Sequence, residues 1–261
     1  MNILFVGDVV GRPGRRALAR LLPSLRADHQ LDLVIANGEN AAAGFGITPS
    51  VAAELFAAGV DVITMGNHAW SKRESLPLYQ EEPRLLRPAN FPPQDPGRGF
   101  AVYPIADGTP VGVLNLQGRT YMEAIDCPFR VGAAAVRELA QQTPVILVDM
   151  HAEATSEKLA MAYMLDGQVS AVIGTHTHVA TCDARVSPQG TAYITDVGMT
   201  GPVDSILGVQ PELVIERFLT RMPNRFEVAS GAAVLQAVLL DIDPLSGRAG
   251  SISRLEECSD E

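Results

Sequence analysis

Four of the chain's five histidines fall where an apolar run gives way to polar residues. His176 and His178 lie in Gly174-Thr175-His176-Thr177-His178, directly after Val169 to Ile173. That run reads as a buried strand, so both rings stand where an α/β sheet presents ligands beyond its strand ends. In extended backbone they point to one side about 6 to 7 Å apart, a span that lets each ring hold a different ion of a close metal pair. His151 ends the run Val145 to Met150, and His68 follows Asn67 after Val60 to Met65. Asp8 follows Ile3 to Val6, and Glu39 with Asn40 follows Leu31 to Ala36. Mixed carboxylate, amide and imidazole donors suit a pair of first-row transition ions, because calcium and magnesium prefer all-oxygen shells. Taken singly, each residue has a bland alternative: a helix cap for Asp8, a solvated loop carboxylate for Glu39, a turn for Asn67, a hydrogen-bonded strand end for His151, loop positions for His176 and His178. Their joint arrival at strand ends favours the chemistry.

The elements that must position them follow a repeating pattern. Ile3 to Val6 is a strand, and Leu18, Leu21, Leu22 and Leu25 then recur at helical spacing, with Pro23 predicting a kink or an early end. Leu31 to Ala36 is a second strand, and Thr48-Pro49 opens a helix with Thr as N-cap and Pro at the first helical position, closed by Gly59. Val60 to Met65 is a third strand. Residues 71–99 read as an irregular insertion rich in Pro, Arg and Glu. Val111 to Leu116 and Val145 to Met150 are strands on either side of a helical segment, Arg130 to Gln142, and Thr155 to about Leu165 is helical. Ala184 to Val186 and Thr191 to Thr195 flank a turn at Pro188-Gln189-Gly190 and predict an antiparallel pair. A helix over Glu212 to Arg221 and a long strand over Gly231 to Ile242 precede an acidic tail.

With 261 residues and 47% apolar content, the chain is long enough for one large α/β domain. The net charge of −10 disfavours a long polyanionic partner, which needs clustered Lys and Arg, so no long nucleic acid is expected; a small phosphate ester handled by metal ions fits. Cys127, Cys182 and Cys258 are few and far apart, which predicts neither a disulfide framework nor a Cys-rich zinc site and agrees with a cytoplasmic setting. Met1 to Val6 is too short for a signal core, and no run approaches the ~20 apolar residues that cross a membrane.

The order Gly7-Asp8, Gly38-Glu39-Asn40, Gly66-Asn67-His68, His151 and Gly174-Thr175-His176-Thr177-His178 resembles the calcineurin-like metallophosphoesterases over essentially the whole chain. Two departures, Asp8-Val9-Val10 in place of Asp-x-His and Glu39 in place of the bridging aspartate, are similar to the YmdB-type bacterial phosphodiesterases. So are Asn115-Leu116-Gln117-Gly118-Arg119 and Asp149-Met150-His151-Ala152-Glu153. The resemblance implies a four-layer αββα sandwich of two mixed sheets flanked by helices, formed by residues 1–261 as a single domain. It implies two divalent transition-metal ions, iron or manganese, and hydrolysis of cyclic nucleotides, notably 2′,3′-cyclic monophosphates, by a metal-bridging hydroxide. Carried over, it makes Asp8, Glu39, Asn40 and His178 ligands of one ion and Glu39, Asn67, His151 and His176 ligands of the other. Asn40 fills the place of the missing histidine at position 10, and His68 is left as general acid toward the leaving alkoxide. Phe45, Arg119 and Tyr121 are candidates for a nucleobase pocket, with core or rim the alternative for Phe45 and Tyr121. A phosphomonoesterase or protein phosphatase with the same ions, and a metal-dependent regulatory binder, are the competing expectations; base preference and homo-oligomer formation are left open.

Overall fold

A computed structural model describes residues 1–259. The chain opens as β1 (Asn2–Val6), β2 (Asp8–Val9), α1 (Gly11–Asp28), β3 (Leu33–Asn37), α2 (Pro49–Ala57) and β4 (Val62–Thr64). It continues through α3 (Leu76–Glu81), β5 (Leu85–Leu86), β6 (Phe100–Pro104), β7 (Pro110–Gln117), α4 (Pro128–Leu139), β8 (Ile146–His151), α5 (Thr155–Leu165) and β9 (Ala171–Thr175). It ends with β10 (Arg185–Val186), β11 (Ala192–Ile194), β12 (Met199–Pro202), α6 (Pro211–Thr220), β13 (Ala233–Ile242) and β14 (Ala249–Ser259).

Strand side chains alternate between faces, and that period sorts the core into layers. In β1, Leu4 and Val6 pack with Leu18 and Leu22 of α1, while Ile3 and Phe5 face the opposite way. There they meet Val111 and Val113 of β7, Leu147 of β8 and Ile173 of β9. Ile146, Val148 and Met150, on the other face of β8, pack with Val136 of α4 and Met161 of α5. The result is helices, sheet, sheet, helices. One sheet has the order β2-β12-β13-β1-β3-β4-β5 with β14 on β13, and the other the order β10-β11-β9-β8-β7-β6. Both are mixed: β1, β3, β4 and β5 run parallel while β13 is antiparallel to β1, and β7, β8, β9 and β11 run parallel while β6 and β10 are antiparallel at the edges. The four-layer αββα sandwich expected from the resemblance is the observed architecture. Among the described residues, no helix is long and apolar enough to cross a membrane.

Several local expectations need correction. α1 does not end at Pro23 but runs on to Asp28. Proline removes the hydrogen bond to the carbonyl of Ala19, yet both residues lie on the exposed face, where solvent can reach the freed carbonyl. Residues 71–99 are not wholly irregular, for they contain α3 and the short β5, which extends the first sheet beside β4. The acidic tail is β14 as far as Ser259, pairing along the length of β13 as an edge strand whose charged residues face water. Residues 260–261 of that tail lie outside the described residues. The Thr48 cap is as expected, its hydroxyl accepting from Val51 N at 3.3 Å. The antiparallel pair formed by β10 and β11 is also as expected.

Candidate metal centre

The inter-sheet core turns polar at one end, by the same two-residue period that built it. Ile35 is followed on its face by Asn37, Val62 by Thr64, Val113 by Asn115 and Gln117, Leu147 by Asp149 and His151, and Ile173 by Thr175; every one of these polar residues is buried. Just beyond this layer the strand ends deliver Asp8, Glu39, Asn40, Asn67, His68, His176 and His178. Sequence spacing and fold therefore agree on which residues come together.

His151 Nε2 is the centre of one group of donor atoms. Asn67 Oδ1 lies 3.1 Å from it, His176 Nδ1 3.0 Å and Glu39 Oε2 3.2 Å. One ring nitrogen cannot hydrogen-bond all three. Donors bound to one transition ion at about 2.1 Å stand about 3 Å from one another, which is the spacing seen. Glu39, His151 and His176 each direct one such atom into a shared space less than 4.8 Å across. Gly66 borders it: any Cβ there would collide with the His151 ring and Glu39 Oε2, so only glycine leaves the space open.

A second group forms around Asp8. His178 Nε2 is 3.3 Å from Asn40 Oδ1 and 4.0 Å from Asp8 Oδ1. Asn40 donates its Nδ2 to Gly44 O at 2.9 Å, which turns its oxygen toward His178. Asp8 Oδ1 is fully buried and has no hydrogen-bond partner, while Oδ2 accepts from His176 N at 3.1 Å. A buried carboxylate oxygen without a donor calls for a cation or a proton, since desolvation of an uncompensated charge is strongly unfavourable. The donor set fits divalent transition metal in both places.

Neighbouring groups fix each imidazole. His151 Nδ1 meets Thr175 Oγ1 at 2.9 Å, and that hydroxyl donates to Asp149 Oδ1 at 2.7 Å, so in the neutral ring Nδ1 carries the proton and Nε2 the lone pair. Asn37 Nδ2 donates to the other Asp149 oxygen at 3.2 Å. His176 presents Nε2 to Glu153 at 3.2 Å and His178 presents Nδ1 to Leu207 O at 3.0 Å, each leaving the opposite nitrogen for an ion. The expectation of extended backbone fails here: β9 stops at Thr175, and φ is 101° at His176 and 62° at His178. Left-handed histidines are strained, and the loop is held by Asp196. Its Oδ2 accepts from Thr177 N at 3.0 Å, from Thr177 Oγ1 at 2.8 Å and from the fully buried Lys158 Nζ at 2.7 Å. Lys158 and Asp196 were not singled out from sequence; a lysine read as one residue of a helix start gives no sign that it is buried.

The electrostatics of the cluster are those of buried carboxylates and imidazoles set against one another. Burial pushes the Asp8 carboxyl up to about 6 against the pull of His178 and His151. Burial also opposes ionisation of Glu39, but His151 and His68 together outweigh it and hold that carboxyl well below its usual range. Burial likewise disfavours charged His151, yet Glu39, Asp8 and Asp149 raise it to about 9. His176, with burial and then His151 against it, falls to about 3.

His68 sits at the edge of the group, Nδ1 lying 3.3 Å from Glu39 Oε1 and 3.2 Å from Asn40 Nδ2, with Phe45 edge-on at 5.0 Å. These residues open into a cavity of about 330 Å³, the scale of a small-molecule site. Phe45 lines it, whereas Arg119 and Tyr121 do not, and Tyr121 is 90% exposed.

Comparison with known proteins agrees with this picture. A family profile described as YmdB-like protein matches residues 4–255. The chain is 50% identical over 255 residues to the 2′,3′-cyclic-nucleotide 2′-phosphodiesterase of Bacillus subtilis, covering 98% of this chain and 96% of that protein. The crystal structure of a novel phosphatase from Mycoplasma pneumoniae superposes with a TM-score of 0.92 at 34% identity, covering 100% of this chain and 94% of the other. The calcineurin-like phosphoesterase YfkN of Bacillus subtilis shares the fold, with a TM-score of 0.57 at 11% identity over 100% of this chain and 90% of that one. Its fold is that of the calcineurin-like phosphoesterases, and the chain belongs to the YmdB-like family.

Proposed function

We propose that the protein is a metal-dependent phosphodiesterase that opens 2′,3′-cyclic nucleoside monophosphates. The observation that carries the reading is the two groups of converging ligand atoms, one around His151 Nε2 and one around the partnerless Asp8 Oδ1, of which Glu39, Asn40, His176 and His178 line a small-molecule cavity. The activity printed for the 50% identical Bacillus relative supplies the substrate class. Asp8, Asn40 and His178 would hold one ion, Asn67, His151 and His176 the other, and Glu39 would contribute to both. Because these donors come from both sheets, we read residues 1–261 as one domain. Imidazole with carboxylate and amide oxygen suits iron or manganese.

When bound, such a pair supplies Lewis acidity toward the phosphoryl oxygens and a water of lowered pKa as nucleophile. The chain's own residues do the rest. Thr175, Asp149, Glu153 and the Leu207 carbonyl keep the imidazoles in fixed tautomers and orientations. His68 has Nδ1 engaged beside Glu39 and Asn40, so Nε2 is the nitrogen available to protonate the ribose oxygen that leaves. Phe45 and Val228 line the cavity with apolar surface.

The test is turnover of a 2′,3′-cyclic nucleotide, a 3′,5′-cyclic nucleotide and a nucleoside monophosphate by metal-loaded protein. The first should be hydrolysed best, with loss on chelation and recovery on adding manganese or ferrous iron. Preference for the monoester would make the protein a phosphomonoesterase, and full activity without metal would end the reading.

A further inference from the structure

Beside the metal cavity lies a larger groove that the mononucleotide reaction does not use. It encloses about 760 Å³ and is lined along α1 by Arg12, Arg16 and Arg20 and on the opposite side by residues 225–231, including Arg225. Residues four apart share a helix face and rise about 6 Å per step, so the three α1 arginines form one row. That step is of the order of the distance between consecutive phosphates along an extended nucleotide strand.

Arg12, Arg16 and Arg225 are exposed, and among the described residues no carboxylate pairs with them. Arg15, off the row, is by contrast tied to Glu54 at 2.7 Å and to Ala41 O at 2.6 Å. Among the described residues, Glu227 is the single carboxylate in the groove lining. In a chain of net charge −10, this is a local reversal of the field. Guanidinium groups are the side chains best matched to phosphate oxygens.

The groove and the metal cavity share Ala43, Phe226, Glu227 and Val228, so a single layer of residues divides them. Val228 closes that layer against Gly44, where a Cβ would come within 3.1 Å of the valine side chain. Half-buried Phe226, with the Arg217 guanidinium over its ring at 5.5 Å from the centroid, adds aromatic surface at the divide.

We propose that this groove binds the backbone phosphates of a short oligoribonucleotide whose 3′-terminal 2′,3′-cyclic phosphate occupies the metal cavity. The inference rests on the phosphodiesterase reading above and extends its substrate class from mononucleotides to RNA ends. The reaction is unchanged: water adds to phosphorus, the bond to one ribose oxygen breaks, and that oxygen takes a proton. Two or three phosphates suffice to engage Arg12, Arg16 and Arg225, while the acidic remainder of the surface disfavours a long strand.

The experiment compares adenosine 2′,3′-cyclic phosphate with a tetraadenylate ending in the same cyclic phosphate, using metal-loaded wild type and the double variant Arg12→Ala with Arg16→Ala. Wild type should show kcat/KM at least about 10-fold higher on the tetranucleotide, with a salt dependence of slope about −1.5 to −2 on a log-log plot, as expected for two to three phosphate contacts to a single strand. The double variant should lose that advantage and keep its mononucleotide rate. Fluorescence anisotropy with a labelled tetraadenylate 3′-phosphate should show binding weakened by at least about 10-fold in the variant. Equal kcat/KM on both substrates, equal loss on both in the variant, or displacement of the probe by tripolyphosphate as readily as by unlabelled tetranucleotide would overturn the inference while leaving mononucleotide turnover intact. Absence of turnover on the mononucleotide itself would overturn the activity reading, and this inference with it.

Discussion

Glu39 turns Oε1 toward the His68 ring and Oε2 toward the His151 ring and the His68 backbone N–H, and in the proposed two-ion centre its two oxygens would serve both ions. Glutamine keeps the shape but replaces one oxygen by an NH₂ whose hydrogens repel a cation, and removes one negative charge. Glu39→Gln is therefore expected to lose one of two ions per chain by elemental analysis and at least about 10²-fold in turnover, comparable to losing one electrostatic stabiliser. Retention of both ions and of the wild-type rate would remove Glu39 from the bridging position. His68→Ala should behave differently, keeping its metal but losing ~10²- to 10⁴-fold in rate, the contribution of a positioned general acid; a metal-depleted variant would make His68 a ligand. At this scale the donors were readable in advance because each follows an apolar run. Their aim was not. The positive φ of His176 and His178 follows from a carboxylate twenty residues further on, and neither H-x-H spacing nor the alternation of β9 carries that information.

The loop after β9 is an element held in a strained shape by one buried ion pair. Asp196 binds both its backbone and Thr177, and Lys158 of α5 neutralises the charge with its stem laid over Gly174. Removing one partner of such a pair leaves an uncompensated buried charge and costs about 3 to 5 kcal/mol. Lys158→Met should lower Tm by roughly 10 °C. Adding Asp196→Asn removes the stranded charge, so the double variant should recover much of that stability while the loop, lacking its strong acceptor, leaves metal content low. Recovery of both stability and metal would show that the pair is structural only and does not position the histidines. Elements with a clear period were legible: β1, β3, β4, β7, β8, β9 and the capped α2 lie within a few residues of their expected places. Those that depend on distant partners were not. β14 carries Arg254, Glu256 and Glu257 because it is an edge, and it is a strand only because β13 lies beside it; β2, β5 and β12 are two to four residues long and exist through ladder pairing alone.

The two sheets converge on one buried, negatively biased cluster, so the stability of the whole molecule should respond to whatever supplies positive charge there. In metal-free protein that role falls to His151, raised from its ordinary 6.5 to about 9 by Glu39, Asp8 and Asp149 despite burial. Because the folded state holds this proton more tightly than the unfolded chain, the stabilisation is complete below pH 6.5 and is lost as pH rises through about 9. Asp8, raised to about 6, acts with the same sign at lower pH, whereas His176, lowered to about 3, acts with the opposite sign there. The two oppose one another in acid and leave the window from neutrality to pH 9 to His151. Metal-free protein should thus lose on the order of 2 kcal/mol between pH 6.5 and 9, a fall in Tm of roughly 5 °C. Metal would reverse the sense, since an ion held by His151 as proposed would bind only when Nε2 is unprotonated, with an affinity that increases with pH. In saturating manganese, Tm should stay level or rise across the same window, and the gap between loaded and metal-free protein should widen steadily toward pH 9. The measurement is calorimetry of both forms at matched ionic strength, with His151→Asn as control, in which the metal-free slope should vanish. A metal-free Tm that does not fall above pH 7, or a slope that survives in His151→Asn, would mean that His151 does not carry the charge that stands in for the ions.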